Sequence, residues 1–597
     1  MADSEPGGAY RKIMKLGSLD WKLINRLAPY IRRHIWLFIL SLVLMLSTDI
    51  LSILHPYLVK IGIDDYIKAG DFSGLLRIGL YLGLVFIGIF LTELFTNYSV
   101  QYLGQKFLFD MRMDVFSKVL KLNSGYFDKT STGSIMTNIT NDVEAIREFI
   151  SDGIVTILGD LLKLVFILGA MLFINYKLAL ITFITFPLFV IVTLIFRRNI
   201  RNGYRGVRSA NSKINSALVE TITGIKEITL FLHKDQSRKK FTGHNNSYLR
   251  SFLKVINNFA VFFAAFEVIS FSGFIIILLF AHYTIGIDVK VGEIFAFFTY
   301  LNMFYRPLRQ LAEKSNAFQS AMAASERIFT LMDTEIPIAD PEGPAAGQSA
   351  PRGEIQFDRV TFAYEEGHPV IRDLSFSVAS GEKVAIVGHT GAGKSTIINL
   401  INRFYDIEQG AVFVDGQNIK EYTLSDLRDR ITTVPQDFFL FGGTIAENIT
   451  LHRESVSPDS VKKAAEAVNA DHFINQLAGG YDSEILENGK SLSTGQKQLL
   501  SFARAFVTDP RIIIIDEATS NIDSGTEKLI EEAVNILMKD RTALIIAHRL
   551  STIKNADRIL VIHKGRLVEE GTHETLLQKD GIYSQLYRMQ TLKGISP

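Results

Sequence analysis

Long apolar runs crowd into the first half of the chain, and the second half carries only short ones. A helix needs about 20 apolar residues to cross a bilayer. Residues 35–53 meet that length, broken only by Thr48 and Asp49 near the far end and followed by Pro56. Residues 75–95 form a second candidate span. Residues 154–174 and 178–196 form a third and a fourth, separated by a turn at 175–177, and residues 259–283 form a fifth. The sixth, 294–304, is short and runs into Arg306-Pro307. It is counted because five crossings would leave the two ends of the chain on opposite sides of the membrane.

Two long segments between spans, 97–152 and 197–258, keep a helical pattern. Leu103, Phe107, Met111, Val115, Val119 and Leu122 recur at spacings of three and four, as on one helix face. The second to fifth helices are therefore expected to run on well beyond the bilayer. Their tips near 126–133 and 217–224 are expected to touch the second half of the chain. The alternative is an amphipathic helix lying on the lipid surface.

After 333–353, a stretch with Pro337, Pro341, Pro344 and Pro351 that reads as a linker, short apolar strands alternate with helical patterns, as in an α/β domain. The expected organisation is a polar N-terminal segment 1–34, an all-α transmembrane domain of six helices over 35–332, that linker, and an α/β P-loop nucleotide-binding domain over 354–597.

Charge sets the orientation, because basic residues gather on the cytoplasmic side of spanning helices. Arg11, Lys12, Lys15, Lys22, Arg26, Arg32 and Arg33 precede the first span. Arg197, Arg198, Arg201, Arg205, Arg208 and Lys213 follow the fourth. The opposite segments offer only Lys60, Lys68, Lys177 and Lys290. The N-terminus and the second domain are thus expected in the cytosol, with a bacterial plasma membrane as the setting. The net charge of +1 excludes a chain-wide polyanion-binding design, and no nucleic-acid partner is expected. With no cysteine, disulfides, thiolate metal sites and cysteine nucleophiles are excluded.

Five ionisable residues fall inside the spans: Asp49, Glu93, Asp160, Lys163 and Glu267. Each is costly in lipid and should face a partner or a cavity. Asp160 and Lys163, three apart, are expected to pair. Glu267, in mid-helix without an opposite charge nearby in sequence, and Asp49 are candidates for a transport cavity.

The second half carries the chemistry. Gly388-His389-Thr390-Gly391-Ala392-Gly393-Lys394-Ser395-Thr396 fits G-x-x-x-x-G-K-[ST] between a strand-like and a helix-like stretch. Such a loop curls backbone N–H groups around phosphates. Lys394 would meet the β and γ phosphates, and Ser395 would ligate Mg²⁺. Ile512 to Ile515 lead into Asp516 and Glu517: the first suits the Mg²⁺ shell, the second a general base for an attacking water.

With those motifs in place, Leu492-Ser493-Thr494-Gly495-Gln496 resembles the signature of ABC transporter ATPases, at the spacing before Asp516-Glu517 that this family shows. The resemblance covers the whole chain, because six helices fused ahead of one such ATPase is the half-transporter layout of ABC exporters. It implies that Tyr364 stacks on adenine and that Gln436 senses Mg²⁺ and the attacking water. It implies that Asp523, in a Ser-Asn-Ile-Asp loop, lies at the dimer seam, and that His548 contacts the γ-phosphate. It implies Mg-ATP as the nucleotide and ATP-driven alternating access. The implied surroundings are the lipid bilayer, a small amphiphilic substrate such as a drug or lipid, and a second half-transporter.

Two departures stand out. Thr494 occupies the place of a usual Gly, and Asn488, between Glu487 and Gly489, the place of a usual Arg. A β-branched residue resists positive φ and crowds the approach to phosphate. With Glu517 and His548 intact, this favours a heterodimer with one impaired ATP site, a homodimer being the alternative.

Overall fold

The computed structural model describes residues 21–593 except 284–288, 314, 337, 339, 342–351, 366, 437, 454–455, 486–488, 490, 517–523 and 548–549. It divides into two compact units at Thr334/Glu335, except that Lys121–Ser131 belongs with the second.

The first unit is helical. An entry helix α1 (Trp21–Arg33) is tied down by Arg26, whose guanidinium donates to both carboxylate oxygens of Asp333 at 2.6 Å. Then come α2 (Ile35–Ile61) and α3 (Phe72–Leu120). At 49 residues α3 runs about 74 Å, more than twice a bilayer core. A short helix α4 (Ser124–Lys129) belongs with the second unit. Thr132–Ile174 forms a 43-residue rod of short helices and π-helical turns ending in α5 (Thr156–Ile174). Asn175 caps α6 (Tyr176–Thr182) by accepting from the Leu178 N–H at 3.3 Å. The long pair α7 (Thr185–Thr223) and α9 (Lys234–Tyr283) is joined by α8 (Ile225–Leu230); α10 (Val291–Glu313) and α11 (Ser315–Asp333) follow.

Five of these helices are long and apolar enough to cross a membrane. The sixth expected span is α10, a continuous helix of 23 residues in spite of Pro307, long enough at about 35 Å though less apolar than the others. The helical face read beyond the second span is an interior one. Leu103, Phe107, Met111, Val115, Val119 and Leu122 are all buried. Helices that bury this stripe in protein do not lie on the lipid surface.

A largely buried ion pair joins two helices of the first unit. Lys163 on α5 donates to Asp49 Oδ1 on α2 at 2.8 Å. This bond crosses from α5 to α2, beyond the neighbour Asp160 on α5 that sequence spacing offers. Asp49, only 3% exposed, is thereby an interhelical ion-pair partner. A carboxylate removed from water needs such a partner.

The second unit is α/β. An antiparallel sheet, ordered β2-β1-β4-β5, is built from β1 (Ile355–Ala363), β2 (Pro369–Val378), β4 (Gln409–Val414) and β5 (Gln417–Asn418). A six-stranded sheet, ordered β12-β11-β3-β10-β9-β6, holds the chemistry. Its members are β3 (Lys383–Val387), β6 (Ile431–Val434), β9 (Ile512–Asp516), β10 (Thr542–Ile546), β11 (Arg558–His563) and β12 (Arg566–Gly571). All but β12 run parallel. The four isoleucines of β9 are buried on both faces, as a central parallel strand requires. A ribbon of β7 (Gly443–Thr444) and β8 (Glu484–Ile485) completes the strands.

Candidate nucleotide site and membrane cavity

The sheet register brings the sequence motifs to one edge. Ile386 of β3 pairs with Ile546 of β10, and Ile546 pairs with Asp516 of β9. Val434 of β6 pairs with Ile515 of β9, so Gln436 follows at the same edge. This is the carboxyl end of the parallel strands, where open α/β sheets bind ligands.

The phosphate loop closes the edge over α12 (Lys394–Ile401). Gly391 and Gly393 adopt φ of +81° and +103°, conformations that favour glycine. At Gly388 the constraint is proximity: a Cβ there would lie 2.2 Å from the Ile562 carbonyl oxygen. Thr390 and His389 are exposed on the loop, Ala392 and Thr396 are buried beneath it, and Ser395 is exposed at the second residue of α12. Lys394 is folded back, its Nζ donating to the carbonyl oxygens of Gly388 at 2.8 Å and His389 at 3.1 Å. Burial pushes its pKa down from the usual lysine range, while the Asp516 carboxylate acts the other way. The cation is thus held at the loop by hydrogen bonds that phosphate oxygens can replace.

Ser395 hydroxyl, Gln436 amide oxygen and Asp516 carboxylate are all hard oxygen donors. Ser395 and Gln436 are exposed, and Asp516 is half-buried at the end of β9. That donor set fits Mg²⁺.

Tyr364 stands beside the loop, 37% exposed, its hydroxyl donating to Thr396 Oγ1 at 3.2 Å and accepting from Asn399 Nδ2 at 3.2 Å. Tyr405, which no sequence signal marked, packs edge-on against Tyr364 with ring centroids 5.0 Å apart and donates its hydroxyl to Asp128 of α4. A Cβ on Gly125 would lie 3.2 Å from the same ring. The first expected tip thus meets Tyr405 beside Tyr364. The second expected tip, 217–224, belongs to the first unit.

The signature opens α13 (Thr494–Phe506). Ser493 is its N-cap: Ser493 Oγ accepts from the Gln496 N–H at 3.2 Å, and Gln496 Oε1 accepts from the Ser493 N–H at 2.9 Å. Leu492 and Gly495 are buried; Ser493 and Thr494 are exposed. Position 494 is the first residue of the helix and has no positive φ, so its backbone does not require glycine. This corrects the conformational half of the argument from Thr494 and leaves only its bulk. Glu517, Asp523 and His548, like Glu487 and Asn488, lie outside the described residues.

In the first unit, α9 and α10 line a cavity of about 540 Å³. Its walls carry Phe263, Phe266, Phe271 and Phe298, with Ser270 and Asn302 between them. Glu267 lies in it, and so does Arg306, which the sequence marked only as the end of a short span.

Comparison with known proteins accords with both units. The family profile for the ABC transporter transmembrane region matches residues 38–308, and the ABC transporter profile matches 371–520. An uncharacterized ABC transporter ATP-binding protein of Bacillus subtilis (strain 168), YknV, is 37% identical, with 96% of this chain and 94% of that protein covered. A Staphylococcus aureus protein (strain NCTC 8325 / PS 47), named provisionally as a multidrug export ATP-binding/permease protein, is 35% identical over 96% of this chain and 100% of its own. A solved bacterial Atm1-family ABC exporter with ATP bound shares 29% identity at a TM-score of 0.73, covering 94% of this chain and 98% of that one. Phosphate loop, signature helix and membrane-length helices in one chain, with relatives matched end to end, place this protein in the ABC transporter family, as an exporter-type fusion of a transmembrane region and an ATPase.

Proposed function

We propose that this chain is one half of a dimeric exporter that hydrolyses Mg-ATP to move an amphiphilic, drug-like or lipid substrate across a bacterial plasma membrane by alternating access. Its N-terminus and ATPase unit face the cytosol on this reading, as the basic segments before the first span and after the fourth require. The observation that carries the substrate class is the cavity between α9 and α10, with charged and polar groups set among four phenylalanines. Pockets of that mixed character and size suit small amphiphiles.

Within the ATP site, the loop amides and Lys394 bind and orient the phosphates. Ser395, Gln436 and Asp516 would hold Mg²⁺, which supplies electrostatic stabilisation at the phosphates when bound. Glu517 accepts the proton of the attacking water, and His548 contacts the γ-phosphate. Asp523 lies at the seam, and Leu492, Ser493, Thr494, Gly495 and Gln496 close over the partner's nucleotide. Leu230, Phe231 and Leu232, 78%, 74% and 86% exposed at the end of α8, are apolar surface that a partner half would cover. The partner is a different half-transporter on the strength of Thr494, whose exposed β-branched side chain stands at the mouth of the signature helix.

The test is ATP-dependent efflux of an amphiphilic dye from liposomes holding the assembled transporter. Glu517→Gln should lower ATP turnover by about 10²–10⁴-fold, because the amide cannot accept the proton, with ATP binding retained. Near wild-type hydrolysis by that variant would remove Glu517 from the role of base, and ATPase activity without movement of any amphiphile would refute export.

A further inference from the structure

The cavity wall carries two opposite charges, Glu267 and Arg306. Helices α9 and α10 run antiparallel. Phe274 packs on Phe298 with ring centroids 4.8 Å apart, and Phe266, eight residues earlier on α9, packs on Tyr305, seven residues later on α10, at 5.5 Å. Glu267 and Arg306 are the next residues after that second pair, so their backbone positions lie within about one helical turn of each other along the helix axes. Both line the cavity and both are exposed to it. Among the described residues neither takes part in an ion pair, whereas the buried Asp49 and Lys163 of the same unit are bonded to each other.

We infer that this cavity selects zwitterionic amphiphiles, which carry an ammonium and a phosphate or carboxylate a few ångströms apart. The inference rests on the exporter reading above and narrows its substrate class. A charge in a membrane-spanning segment is costly until it is compensated. A cationic ligand would satisfy Glu267 and leave Arg306 uncompensated, and an anionic one would do the reverse. A zwitterion satisfies both. Guanidinium is suited to two-pronged contact with phosphate or carboxylate, and phenylalanine faces favour the ammonium. Phe263, Phe271 and Phe298 take the apolar body, and Asn302 adds a hydrogen-bonding group beside Arg306.

The experiment uses the assembled transporter in liposomes and four fluorescent amphiphiles with matched tails: phosphocholine, phosphoglycerol, quaternary ammonium and an uncharged glyceride. ATP-dependent movement should favour phosphocholine over the singly charged probes by roughly tenfold. Glu267→Gln should shift preference toward the anion and Arg306→Gln toward the cation, each by about tenfold in the ratio of rates. The exchange of Glu267→Arg with Arg306→Glu keeps both charges and should restore the zwitterion preference, which also answers poor folding of either single variant. A two-tailed and a single-tailed phosphocholine separate a bilayer lipid from a soluble compound as the source. Equal transport of cation and zwitterion, or ratios unmoved by both single variants, would overturn the inference while leaving an exporter. Active ATPase with none of the four probes moved would overturn the exporter reading itself.

Discussion

Lys394 does two things at the phosphate loop. On the proposed reading its ammonium would meet the β and γ phosphates, and its bonds to the Gly388 and His389 carbonyls keep that charge at the loop. Lys394→Ala removes both, and hydrogen bonds to charged groups are worth about 1.5–3 kcal/mol. Equilibrium binding of ATP to the purified transporter should weaken by about ten- to a hundredfold; unchanged affinity would mean that the loop grips phosphate without its lysine. Tyr405 separates two effects in the same neighbourhood. Burial, seconded by Asp128, raises its pKa, so it stays a hydroxyl donor at neutral pH. Tyr405→Phe keeps the ring against Tyr364 and loses only the bond to Asp128, so ATP affinity should hold while substrate stimulation of ATPase falls several-fold. Tyr405→Ala also removes the ring, and ATP affinity should drop with it. Matched stimulation curves for wild type and Tyr405→Phe would show that this bond carries no coupling.

At the scale of elements, α13 shows how a motif can serve structure and function together. Ser493 and Gln496 form a reciprocal cap, satisfying two backbone N–H groups that the first turn would otherwise leave open. Ser493→Ala should therefore cost about 1 kcal/mol of stability, apart from any effect on ATP. In a unit of this size that corresponds to a fall of roughly 2–4 °C in the melting temperature of the ATPase unit. An unshifted melt would assign Ser493 to nucleotide contact alone. Thr494, one position on, has ordinary helical backbone, so Thr494→Gly should move the melt less than Ser493→Ala does. The long helices obey a simpler rule. The stripe from Leu103 to Val119 is buried because α3 continues past the bilayer and packs on protein, which is what a spacing of three and four with no break predicts.

For the molecule as a whole, ABC exporters act as dimers in a membrane, and the activity of this chain alone distinguishes a like from an unlike second half. If the partner differs, this chain purified alone should give little ATPase activity, because in a self-dimer each copy's altered signature would face the other copy's phosphate loop. Steady-state ATPase of the single-chain preparation, with and without amphiphile, checks this. Robust stimulated hydrolysis would assign a homodimer, which the negative φ at Thr494 already makes sterically accessible to the backbone.

Local pattern was enough for the spans, the helix stripe, the α/β class and the phosphate loop. Each rests on residues close together in the chain: an apolar run of bilayer length, a period near 3.6, or glycines that free backbone amides to curl. Glu267 was a candidate for the same reason, as a lone carboxylate in an apolar helix. The rest depended on which helices meet and in what register, which no local pattern encodes. Lys163 found Asp49 more than a hundred residues away, because α2 and α5 pack together. Arg306 came to line one cavity with Glu267 only through the packing of α9 on α10. Tyr405 was one aromatic among many until folding laid it between Tyr364 and Asp128. Position 494 read as a glycine site by resemblance, yet the cap at Ser493 starts the helix there and gives it an ordinary backbone. The sequence by itself determined the chemistry available to this protein, and the tertiary packing decided which charges are spent on each other and which are left facing a cavity.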